Sequence, residues 1–235
     1  MRYSNEKDAK RAAEDLRNHV AKRRKLGENF EVIEFARPGT YEYAMRFVFD
    51  EEANVLTISG DLGHAVVRTD WKLTPETFVD AFHVKNLHYF NEKIEAAESQ
   101  YCFDADDFAE ELDEWAEEWP RCREDEDEGE GEEEEVDDDD GEYSEDGFTG
   151  DEVEELKGAL TEAFTWEHGV ELALLDPSAR ALLDKLDSEC WEWIESAGKR
   201  YDYRMFCWVS GLNMAMEQLA AHDAPAPQEE EGGAE

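Results

Sequence analysis

Between Glu124 and Asp146, seventeen of twenty-three residues are Asp or Glu and none is basic. Such a run cannot bury itself, because each carboxylate would leave water without a partner. It therefore separates two stretches that must build a core without it. Residues 124–147 read as an acidic, disordered linker. Residues 223–235, five acids among Pro, Gly and Ala, read as a disordered tail.

The acid is not confined to those segments. The chain of 235 residues carries 23 Lys and Arg against 64 Asp and Glu, a net charge of −41, and removing tract and tail still leaves −19. Yet 40% of the residues are apolar and 11% aromatic, enough for a folded core. A surface so negative repels phosphates, which excludes a free-standing duplex-DNA binder and a peripheral protein on an anionic membrane. No secretory signal follows Met1, and the longest mostly apolar run, Met205 to Met216, is too short to span a bilayer. Cys102, Cys122, Cys190 and Cys207 show no tight pairing, so reduced thiols and a cytoplasmic location are expected.

Periodicity predicts an α+β fold: a small antiparallel four-stranded sheet packed by helices, with an acidic insert and a C-terminal helical part. A basic helix is expected from Ser4 to Leu26, striped by Ala9, Ala13, Leu16 and Val20, closed by Gly27, with Lys22, Arg23, Arg24 and Lys25 in its last turn. Residues 28–123 would hold the sheet and its helices. The strands are Phe30 to Ala36, the alternating run Tyr41, Tyr43, Met45, Phe47 and Phe49, then Val55 to Ser59 and Ala65 to Asp70. Thr74-Pro75 starts a helix over 75–83, a second covers 87–99, and Asp104 opens a third that Pro120 stops. Residues 148–222 would add three amphipathic helices on the same core.

Chemistry is sparse. Gly60 and Gly63 lie between strands and not before a helix, so they read as a turn rather than a phosphate loop. His83 and His88, with Asp80 and Glu92 nearby, are conceivable metal ligands but read as ordinary residues at a helix boundary. No nucleophile and base can be paired, and no cofactor is called for. The Lys22–Lys25 cluster has three readings: completing its own helix, pairing with the acidic tract, or touching nucleic acid. The net charge favours the first two together.

The helix opened by Asp104 is the informative one. It carries Asp106, Asp107, Glu110, Glu111, Asp113, Glu114, Glu117 and Glu118 around the stripe Phe108, Leu112, Trp115 and Trp119. Nine acids, counting Asp104, over roughly 21 Å give about one charge per 2.3 Å. Duplex DNA carries about one per 1.7 Å. Carboxylates on a core-anchored helix can present a patterned anionic surface. The bland alternative is a solvated face.

At Ile58-Ser59-Gly60-Asp61-Leu62-Gly63-His64-Ala65-Val66 and Leu87-His88-Tyr89-Phe90-Asn91-Glu92-Lys93-Ile94 the chain resembles a group of bacteriophage and prophage proteins. The resemblance resumes at Trp191-Glu192-Trp193 and from Gly211 to Leu219, covering roughly 40–101 and 185–220. It implies a phage or mobile-element origin and expression inside a bacterial cell, and carries over no catalytic residue. Charge and resemblance together lead to the expectation of a non-enzymatic inhibitor of a host defence complex, of the anti-CRISPR or anti-restriction type, acting as a nucleic-acid mimic. Its partner would be a basic nucleic-acid-binding host protein. The second expectation is an accessory or chaperone-like protein that holds a basic partner through the acidic linker.

Overall fold

A computed structural model describes residues 5–119, 147–166, 168–186 and 193–223. The expected linker up to Asp146, the tail beyond Asp223, Cys122, Cys190 and the Trp191-Glu192 motif lie outside the described residues. Two compact units form: residues 2–100 with 201–235, and residues 101–200.

The first unit is built on six antiparallel strands, not four. Helix α1 (Asn5–Leu16) precedes β1 (Val20–Lys25), β2 (Phe30–Ala36), β3 (Met45–Asp50), β4 (Val55–Gly60) and β5 (Gly63–Arg68). After α2 (Pro75–Ala81), a 3-10 turn and α3 (Leu87–Glu92), β6 (Ile94–Ala97) returns to the sheet beside β5. The strand order is simply β1 to β6.

Both extra strands correct the sequence reading. The expected helix from Ser4 to Leu26 ends at Leu16, and the four cations of residues 22–25 stand on an edge strand. The buried positions of α1 are Ala12 and Leu16, while Val20 is 46% exposed, so the expected stripe did not continue. The helix expected over 87–99 stops at Glu92, because Ile94, Ala96 and Ala97 find partners in Val67, Val66 and Ala65. The expected second strand, observed as β3, is shorter at its start. Met45, Phe47 and Phe49 are buried, but Tyr41 is 68% exposed and Tyr43 sits in a turn with φ +53°.

Period-two alternation gives the sheet a core face of Ile33, Phe35, Phe47, Phe49, Ile58 and Val67, all fully buried. Helix α7 (Tyr203–Asp223) packs there: Gly211 lies against Met45 and Phe35, where a methyl group would collide with the Met45 side chain. Thr74 caps α2 in a capping box with Thr77. The β4–β5 turn requires Gly60, at φ +149°, since any Cβ there would run into the Ala44 carbonyl.

The second unit joins β7 (Tyr101–Phe103), α4 (Ala105–Glu118), α5 (Gly150–Glu162), the short strands β8 (Phe164–Thr165) and β9 (Gly169–Val170), α6 (Pro177–Leu186) and β10 (Lys199–Tyr201), which pairs with β7. Phe108, Leu112, Leu156, Leu160, Leu183 and Ile194 belong to its buried core. Thr149 and Glu152 form the capping box of α5.

Candidate acidic interface

Helix α4 starts where the sequence says it should. The Asp104 side chain accepts hydrogen bonds from the backbone N–H groups of Asp106 and Asp107, each at 3.1 Å. Acids in the first turn also favour the positive end of the helix dipole. The apolar stripe anchors it. Phe108 stacks on Phe164 with ring centres 4.6 Å apart, Trp115 meets Trp193 edge-on at 4.3 Å, and Trp119 packs on Phe148 at 5.8 Å.

With one face committed to the core, the carboxylates divide into two sets. Asp106, Glu110, Asp113 and Glu117 are exposed and follow offsets of four, three and four, which places them within about 60° of arc along one row. Glu114 is exposed on the shoulder of that row. Asp107 and Glu111 are half-buried on the flank toward the unit's own residues. The Glu118 side chain lies outside the described residues.

Part of the acid is used internally. Asp104 pairs with Arg200 at 2.8 Å, and Asp107 lies 3.9 Å from the same guanidinium. Glu111 accepts the backbone N–H of Gly198 at 2.9 Å. Asp113 pairs with Lys157 of α5 at 2.7 Å. Partial burial, helped by the charge of Asp104 and opposed by Arg200, raises the Asp107 carboxyl above its ordinary value. Asp106, Glu110 and Glu117 make no ion pair among the described residues.

The expected charge density is thereby corrected. Eleven helical steps span about 16 Å, so the four carboxylates of the outward row amount to about one per 4 Å. A single nucleic-acid strand carries one phosphate per about 3.4 Å. The row is sparser than a strand of phosphates, and far sparser than a duplex. Neighbours at i,i+4 along it repel by a few tenths of a kcal/mol per pair, which the aromatic packing beneath must offset.

Sequence reasoning missed the internal partners Lys157 and Arg200, which stand far along the chain with no local signal. It also left out α5, whose exposed Asp151, Glu154, Glu155 and Glu162 add to the charge of the same unit. The described residues of 101–200 hold eighteen acids and five bases, and those of the sheet unit twenty-one and fifteen.

The other candidate sites stay apart. His83 and His88 are exposed, and His88 pairs with Glu92 at 3.0 Å. Among the described residues no group of three or more His, Cys, Asp or Glu is placed to hold a metal ion. Cys102 and Cys207 are not joined to each other by a disulfide. No described helix is long and apolar enough to cross a membrane. No family model, curated protein or solved structure matches the chain.

Proposed function

We propose that the protein is a non-enzymatic, phage-encoded inhibitor that places the acidic helical unit in a basic nucleic-acid-binding groove of a host defence complex, of the anti-CRISPR or anti-restriction kind. The observation that carries this reading is the outward row of α4, in which Asp106, Glu110 and Glu117 stay unpaired by any described residue above a rigid aromatic base. Carboxylates held on a packed helix lose little freedom when they meet arginines and lysines, so more of the Coulomb attraction survives as affinity. The low density of the row suits a groove contacted at a few phosphates rather than one wrapped around a duplex.

The test is competition. Labelled target DNA is bound by the host's CRISPR or restriction complexes, and the intact protein is added in excess. Release of the DNA, weakening as salt rises, is the expected result. The triple variant Asp106→Asn, Glu110→Gln, Glu117→Gln should inhibit about tenfold less or worse, at a few tenths to 1 kcal/mol per charge. DNA binding untouched by excess protein in every complex of the host refutes the proposal.

One observation favours a second reading. Asp107, Glu111 and Asp113 are spent on the protein's own residues, which shifts weight to the tract 124–146 as the holder of a basic partner, in the manner of a chaperone. Deleting 124–146 separates the two: the mimic keeps its activity and the chaperone loses it.

A further inference from the structure

In a chain with a net charge of −41, β1 is an anomaly: an edge strand whose sequence is Val-Ala-Lys-Arg-Arg-Lys. It pairs only with β2 in the sheet. Its register, Val20 opposite Ala36 through Lys25 opposite Glu31, and the alternation of an antiparallel ladder fix which backbone groups point away from β2. The N–H of Ala21 points outward, since it donates to the Gln218 side chain at 3.1 Å. The carbonyl of His19 also points outward and accepts the Gln218 side-chain N–H at 2.9 Å. Gln218 thus makes the two hydrogen bonds that a neighbouring strand would make at residues 19 and 21. By the same alternation the backbone groups of Arg23 and Lys25 face outward, and among the described residues none of them is bonded.

The side chains beside this open stretch are cationic on both faces. Lys22 and Arg24 are exposed on one face and Lys25 on the other. Arg23 is engaged by Glu31 and by Glu76, the latter at 2.8 Å. Arg24 shares a single carboxylate, Glu34, with Arg46, at 2.9 and 2.7 Å. Lys22 and Lys25 have no ion pair among the described residues. Edge lysines usually discourage pairing between copies, and two β1 strands set side by side would oppose eight cations. The charge that fits is negative.

We propose that the outer edge of β1 from Arg23 to Lys25 docks an extended acidic peptide segment of a partner protein, which adds as a seventh strand. Main-chain hydrogen bonds continue the pair that Gln218 begins, and alternate carboxylates of the incoming strand line one face, where they meet Lys22 and Arg24. This edge belongs to the sheet unit and is independent of the acidic row on α4.

The experiment uses the full chain and a fluorescein-labelled peptide of four Thr-Glu repeats, with binding read by anisotropy at low and high salt. Binding is expected, at least tenfold weaker for the same peptide made of D residues, which has identical charge but mismatched strand geometry. Lys22→Glu should weaken binding at least fivefold. Lys25→Pro removes an outward N–H and leaves the ladder to β2 intact, and should weaken it at least tenfold. Hydrogen exchange at Arg23 and Lys25 should slow when the L peptide is bound. Equal affinity for the D peptide, or for an oligothymidylate of equal charge, overturns the proposal. So does a dimer of the unliganded chain that is lost in Lys25→Pro, which would give the edge to a second copy.

Discussion

Replacing Gly198 by alanine should loosen the acidic helix without touching a carboxylate. Gly198 has φ +64°, and a Cβ there would lie 2.7 Å from the Asp104 carbonyl oxygen and 2.8 Å from the Phe108 Cβ. The same residue donates its N–H to Glu111 and accepts the N–H of Asp104 at 2.9 Å, so it ties the N-cap and the second turn of α4 together. The left-handed backbone costs a residue with a Cβ about 1–2 kcal/mol. Forcing the methyl against backbone atoms costs about 1–3 kcal/mol more, and the stiffer unfolded chain returns about 0.4–1 kcal/mol. The net loss is about 3 kcal/mol. With a urea slope of about 1.5 kcal/mol per M, the midpoint falls by about 2 M. Tryptophan fluorescence reads it well, since five of the seven tryptophans, at 115, 119, 166, 191 and 193, fall within residues 101–200. Gly169→Ala is the control: φ there is +73°, but the added methyl meets the Phe103 ring edge, which can swing aside. A Gly198→Ala midpoint within 0.3 M of the parent, or a smaller loss than Gly169→Ala, refutes the reasoning.

Two further outcomes concern the sheet unit. Burial pushes the Cys207 thiol up to about 12 from an ordinary value of 9.0. Burial, with the 2.7 Å hydrogen bond from the phenol to Asp15, holds Tyr203 far above its ordinary range. The unfolded chain therefore releases these protons first. The stability they lend is whole below pH 9 and falls as pH rises, by up to about 1.4 kcal/mol per pH unit for each group, the thiol's share ending near pH 12. Urea midpoints between pH 8 and 11 should decline more gently in Cys207→Ala, and parallel curves would contradict this. His19 is 3% exposed, with both ring nitrogens buried and lacking a hydrogen-bond partner among the described residues. His19→Leu should stabilise the chain by about 1 kcal/mol, measured by thermal melting, and a lower melting temperature would count against it.

The hairpins were readable because their signals are local: alternation in Met45, Phe47 and Phe49, Pro38-Gly39, and the Gly60–Gly63 turn all act within a few residues. The strands at 20–25 and 94–97 were not, because Lys, Arg, Glu and Ala are good helix formers, and only pairing with β2 and β5 makes them strands. The same asymmetry governs the acidic helix. Its apolar stripe and its cap could be read directly, and Phe108, Leu112 and Trp119 are buried as the spacing requires. Which carboxylates stay open could not, since Lys157 and Arg200 reach Asp113 and Asp104 through tertiary structure alone.

The backbone N–H of Asp202 donates to the carbonyl of Gln100 at 3.0 Å, so the chain leaves the sheet unit and re-enters it at nearly the same point. Residues 101–200 are therefore inserted between two neighbouring points of the sheet unit. A short glycine-rich splice across that gap would keep the six-stranded scaffold continuous. Exchange or loss of the acidic insertion then needs only two crossover points, both at the same place on the sheet unit.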